Sequence, residues 1–169
     1  MRRGDGEAEF AAFVAARGPA LGRTAYLLTG DRHLAEDLVQ TALYKTAKAW
    51  GHINRSPEAY VRRTMYHENV SWWRRRRLQE VPVGNVPERP LRTADADTRL
   101  ALEQALARLT PKQRTILVLR YYEDLSESQV AAALGIALGT VKSQTRHALS
   151  RLRTLAPELR DLVEVSSGD

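Results

Sequence analysis

The chain has no cysteine, so disulfides and thiol nucleophiles are excluded. Its four histidines are scattered, which leaves no dedicated metal site to expect. No apolar run approaches the ~18 residues of a membrane span. The N-terminal Met-Arg-Arg-Gly-Asp-Gly-Glu lacks the apolar stretch of a signal peptide, so a cytoplasmic protein without a membrane partner is expected. No carboxylate pair, triad spacing or phosphate loop is present, which argues against an enzyme and against a cofactor. Lysine is scarce as well: 4 of the 26 basic residues, the other 22 being arginine. That skew suits a GC-rich coding genome as well as it suits function.

What is present is helical. With 169 residues, 43% of them hydrophobic, there is material for one domain or two small ones. Gly18-Pro19 and Gly30-Asp31 punctuate short amphipathic stretches carrying Phe10, Phe13, Leu21, Tyr26, Leu27 and Leu28. Pro19 suits a first helical position, Gly30 the left-handed residue after a helix, and Asp31 the next cap. From there Leu34, Leu38, Ala42, Thr46 and Trp50 recur every four residues, an amphipathic helix of about five turns. After a break at Gly51 to Arg55, Ser56-Pro57-Glu58 starts a helix expected to reach about Arg77. Residues 79–97 hold Pro82, Pro87 and Pro90 without periodicity and read as a flexible linker. Helical patterning resumes with starts at Asp97, Thr110-Pro111 and Ser126, and a frayed tail is expected from Pro157.

Charge is uneven along these segments. The net +6 divides as 14 basic against 8 acidic residues in 1–78, 2 against 4 in 79–97, and 10 against 8 in 98–169. The excess sits on the first module, chiefly on its aromatic-rich helix.

Two constellations carry chemistry. Ser126 to Val141 has helix-turn-helix spacing: Ala131 at the helix crossing, Gly135 as the left-handed turn, Val141 pointing inward. Ser126 and Gln129 match a capping box. The following helix then exposes Lys142, Ser143, Arg146 and His147, donors suited to base edges and phosphates in a major groove. Pro111-Lys112-Gln113-Arg114 ahead of Ile116-Leu117-Val118-Leu119 supplies a buried supporting helix. A helical hairpin with a solvated face has the same spacing. In the first half, Tyr60, Tyr66, Trp72 and Trp73 interleave with Arg62, Arg63 and Arg74–Arg77, a pattern that suits unpaired bases and their phosphates. Core packing is the stronger reading of Trp72 and Trp73, whereas four adjacent arginines repel one another unless a polyanion is near. A repressor or activator acting without polymerase, or a basic helical module on an acidic membrane or acidic partner, remain alternatives.

Asp31 through Gln40 (Asp-Arg-His-Leu-Ala-Glu-Asp-Leu-Val-Gln), the Ser-Trp-Trp-Arg-Arg helix end, Leu109-Thr-Pro-Lys-Gln-Arg and Gly139-Thr-Val-Lys-Ser together resemble the extracytoplasmic-function sigma factors. The likeness covers about residues 7–155, in order. It implies an all-α protein of two small helical domains joined by a flexible linker: a sigma2-like bundle over 1–78, a linker over 79–97, a sigma4-like helix-turn-helix domain over 98–157, and a tail over 158–169. It implies core RNA polymerase and promoter DNA as partners, with an anti-sigma factor as a further one. Carried over residue by residue, Glu36, Asp37, Gln40 and Lys45 would meet the β′ clamp helices. Arg55, Tyr60, Arg62, Arg63, Tyr66, His67, Asn69 and Arg74 would melt and read the −10 element. Thr140, Lys142, Ser143, Arg146 and His147 would read the −35 element close to the β flap. Thr41 stands where the family usually has an acidic residue, and Ser143-Gln144 where Ser-Arg is common, so no promoter sequence transfers.

Overall fold

Local capping chemistry sets several helix ends. The computed structural model describes residues 3–78 and 94–160. The first half holds α1 (Arg3–Thr29), α2 (Arg32–Ala49) and α3 (Pro57–Leu78). Gly30, at φ +70°, closes α1 with its N–H donating to the Tyr26 carbonyl at 2.8 Å. Asp31 then caps α2, its carboxylate accepting from the Leu34 N–H at 2.9 Å. Beyond a 3₁₀ turn at Trp50–His52, the Ser56 hydroxyl accepts from the Ala59 N–H and starts α3. Buried faces of Leu21, Ala25 and Leu28 on α1, Ala35, Leu38 and Ala42 on α2, and Val61 and Met65 on α3 hold the three helices together. The Trp50 ring packs edge-on to Phe10 and tilted to Phe13, centroids 5.1 and 5.5 Å away.

One expectation fails here. Gly18-Pro19 does not begin a helix; Pro19 lies inside a continuous α1. Pro19 has no N–H for the Ala15 carbonyl, but both residues are exposed, so water can replace the missing donor.

The second half holds α4 (Ala94–Ala107), α5 (Pro111–Leu117), a π turn at Val118–Tyr122, α6 (Glu127–Leu134), α7 (Leu138–Leu155) and a 3₁₀ turn at Pro157–Leu159. Thr110 caps α5 with Pro111 in its first turn. Ser126 and Gln129 form the reciprocal capping box of α6, at 2.8 and 3.1 Å. Helix α4 starts at Ala94, three residues ahead of the expected Asp97. The chain is still ordered past Pro157, because Leu159 is buried against Ala105, Leu106 and Leu152. The linker reading falls largely on 79–93, and the rest of the tail on 161–169; both segments lie outside the described residues.

The halves also pack on each other. Ile116, Val118, Leu119, Val130 and Val141 join the same core as the first-half residues, while Leu117 joins a second core with Leu106, Ala148 and Leu152. The Ile116–Leu119 run is therefore buried, while Lys112, Tyr121 and Tyr122 of the same segment stay exposed. Parting the halves would uncover the side of this run that α1 and α3 cover, while α7 would still cover the other.

Candidate nucleic-acid interface

Helix α7 has two faces. Val141, Thr145, Ala148 and Leu152 point into the cores, at spacings that keep them on one stripe. Gly135 at φ +66°, its N–H donating to the Ala131 carbonyl, makes the turn that brings α7 onto α6. Opposite the buried stripe, Lys142, Arg146 and His147 are exposed, and no carboxylate among the described residues pairs with Lys142 or Arg146. Thr140 and Ser143 are half-buried, the Ser143 hydroxyl donating to the Thr140 carbonyl at 3.1 Å. The result is a helix face with free donors and a rigid backing.

Helix α3 divides the other candidate residues into two stripes. Tyr60, Arg63, His67 and Arg74 are exposed, as is Arg55 in the preceding loop. Arg62, Tyr66, Asn69 and Trp73, at spacings of four, three and four, turn toward the second half instead. Arg62 donates from Nη1 to Glu123 at 2.7 Å and to Thr24 at 3.0 Å, and from Nε and Nη2 to Glu58 at 3.2 and 3.1 Å. Asn69, fully buried, donates to the Thr115 hydroxyl at 3.1 Å. The Trp73 ring carries the Arg114 guanidinium at 5.3 Å and lies 5.0 Å from the Trp72 ring. Both tryptophans are half-buried, so they pack rather than project.

The electrostatics follow from that burial. Burial opposes the charge on Arg62, but the Glu123 carboxylate and the Glu58 hydrogen bonds outweigh it and raise the pKa above its ordinary value. Burial, reinforced by Glu123, holds the Tyr66 phenol far above the usual tyrosine range. Arg114 has no such compensation: burial alone pushes it down to about 10.

The four candidates for polymerase contact do not form one cluster. Glu36, Asp37 and Gln40 are exposed on α2. Glu36 and Gln40 line a groove of about 1270 Å³ between the halves, beside Val39 and facing Leu102, Tyr121 and Leu149. Lys45 lies farther along α2 and pairs with Glu68 of α3. The exposure of Leu102, Tyr121 and Tyr122 was not anticipated; two tyrosines straight after an apolar run were the available signal. Arg114 and Glu123 were missed as well, since their partners lie far away in sequence. No helix among the described residues is long and apolar enough to cross a membrane.

Comparison with known proteins agrees with this division. Residues 13–79 match the family model for Sigma-70 region 2, and residues 99–152 that for Sigma-70, region 4. The chain is 44% identical over 149 residues to the RNA polymerase sigma-E factor of Streptomyces coelicolor, covering 86% of this chain and 84% of the relative. It is 34% identical over 151 residues to the ECF RNA polymerase sigma factor SigL of Mycobacterium tuberculosis, covering 82% and 84%. Among solved structures it resembles the sigma factor RpoE of Bartonella quintana, crystallised with the anti-sigma factor NepR. That match has a TM-score of 0.70 at 28% identity over 87% of this chain and 96% of that one. With both regions in order on one all-α chain, the protein belongs to the extracytoplasmic-function group of the sigma-70 family of RNA polymerase sigma factors.

Proposed function

We propose that this sigma factor divides its work among three helix faces. Helix α7 reads the −35 duplex through Lys142, Arg146 and His147, with Thr140 and Ser143 at the groove edge. Helix α3 and Arg55 engage the −10 element, the exposed Tyr60, Arg63, His67 and Arg74 first. Helix α2 docks on the β′ clamp through Glu36, Asp37 and Gln40, Lys45 at the margin of that contact. The functional modules are residues 1–78 and 98–157, joined by 79–97. The protein acts in the cytoplasm by binding and is not an enzyme. The RpoE relative was crystallised with an anti-sigma factor, and a partner of that class is proposed for this chain.

The observation that carries this reading is the free face of α7. Three exposed donors stand on a helix whose opposite side is locked into two cores, the geometry needed to insert a helix in a major groove. Run-off transcription from a cognate promoter, with core polymerase, tests it. Transcript is expected only when both are present. Replacing Lys142 and Arg146 by Ala should weaken −35 binding by roughly 1–3 kcal/mol per lost base contact. Unchanged transcription from a −35-dependent promoter would remove α7 from the reading. A tight footprint without polymerase would favour a free-standing repressor or activator.

A further inference from the structure

Three of the seven α3 candidates for DNA contact are covered by the second half of the same chain. Arg62, Tyr66 and Asn69 face Glu123 and Thr115, while Tyr60, Arg63 and His67 on the neighbouring stripe stay in water. We propose that Glu123 is an internal stand-in for a DNA phosphate: its carboxylate occupies on Arg62 the place that a phosphate of the unpaired −10 strand takes when the halves part. The proposal rests on the reading of α3 as the −10 surface.

Three features support it. First, Glu123 is placed by a special backbone. The π turn hands its last bond to the Glu123 N–H, which donates to the Val118 carbonyl at 3.0 Å. Asp124 follows at φ +56°, and Arg120 ties the loop by donating to the Leu125 carbonyl at 2.7 Å. π turns are frequent at functional sites. Second, the guanidinium suits either ligand. Arginine presents a planar fork that matches carboxylate and phosphate oxygens alike. The Glu58 and Thr24 contacts lie within the first half and survive opening, so only the Glu123 contact needs exchange. Third, the covering interface is imperfect. Trp73 Nε1, Arg114 Nε and Asn69 Oδ1 are buried without a partner, and each such atom disfavours closure. Closure therefore combines the Arg62–Glu123 ion pair, the Asn69–Thr115 and Thr24–Glu123 hydrogen bonds and shared apolar packing with several opposing groups. That balance makes opening accessible to a competing ligand.

Strand binding and opening are then two sides of one coupling. A single strand that binds Arg62 opens the halves, and a change that opens the halves while leaving Arg62 in place tightens strand binding by the same factor. An ion pair that only stabilises the fold has no such reciprocity.

The cysteine-free chain allows a direct test. Cysteines introduced at the exposed positions Ala47 and Ser150 would carry a donor and acceptor dye, one on each half. The strand probe is a random-sequence 20-nucleotide single-stranded DNA labelled with fluorescein. In Glu123→Gln the dyes should move apart, and the probe should bind roughly 5-fold tighter or more. The log–log salt slope of probe binding should also steepen by about 0.7, one more phosphate neutralised without a competing carboxylate. Arg62→Gln should open the halves equally but give no gain in affinity. Glu123→Asp keeps the charge while shortening the reach, and should give an intermediate shift if Glu123→Gln melts early. Unchanged dye separation in both Glu123 variants overturns the proposal. So does opening in a Glu123 variant without tighter strand binding. If no variant binds the probe, the proposal falls too, and run-off transcription then decides whether the sigma-factor reading of α3 falls with it.

Discussion

Replacing Arg114 by Met should stabilise the protein, although it removes a cation that stacks on a tryptophan. Arg114 is 3% exposed and contacts no carboxylate among the described residues; its one charge-stabilising neighbour is the Trp73 ring. Burial lowers its pKa from the ordinary arginine range to about 10. A depression of that size corresponds to about 3 kcal/mol against the charged folded state, at 1.36 kcal/mol per pH unit. The cation–π contact offsets about 1 kcal/mol of what removal would recover. Methionine fills a similar, unbranched volume and leaves no buried charge, so the net gain is about 1–3 kcal/mol. For a chain of this size each kcal/mol moves Tm by about 2–4 °C, giving an expected rise of about 2–12 °C in a thermal melt. The sign of the pH dependence is fixed. A base whose folded pKa lies below its unfolded value disfavours the folded state fully at neutral pH, less as pH passes 10, and not at all above the ordinary arginine range. The gap between wild type and Arg114→Met should therefore narrow between pH 8 and 10.5. A lower Tm for the variant at pH 7.5, or a gap that widens with pH, would refute the reasoning.

Two further outcomes follow from other sites. Gly135→Ala meets no atom within 4 Å but must hold φ +66°, so it should cost about 1–2 kcal/mol of stability in chemical denaturation, and Gly135→Asn less; an Ala variant as stable as wild type would contradict the left-handed turn. The Tyr66 phenol is held above its unfolded value, so its share of stability is present below pH 10 and lost as pH rises beyond it. Absorbance at 295 nm should show one tyrosine ionising only as the protein unfolds; ionisation of all six tyrosines in the folded protein near pH 10 would contradict its burial.

Local chemistry was legible in the sequence where one residue type has one conformational use. Gly30 and Gly135 sit at positive φ, Asp31 and Thr110 cap helices, and Ser126 with Gln129 closes a capping box, all as their types and spacing suggest. The inward and outward faces of α7 followed from helical period alone. Pro19 misled, because a proline that begins helices elsewhere is tolerated mid-helix when its orphaned carbonyl faces solvent. Long-range choices were not legible. Ile116 to Leu119 announced burial but not what would bury it, and the Arg62–Glu123 pair joins residues 61 positions apart. Asn69 and Tyr66 carried the same helical spacing as exposed binders, and only the packed second half distinguishes them.

The π turn at Val118–Tyr122 holds one residue more than an α-helical turn would. Each residue advances an α-helix by about 100°. Trimming one position there would make α5 more regular and would also swing Glu123 a quarter-turn or more off Arg62, carrying the capping box of α6 with it. The segment behaves as a phase setting: its length, more than its composition, decides whether the two regions can face each other in register.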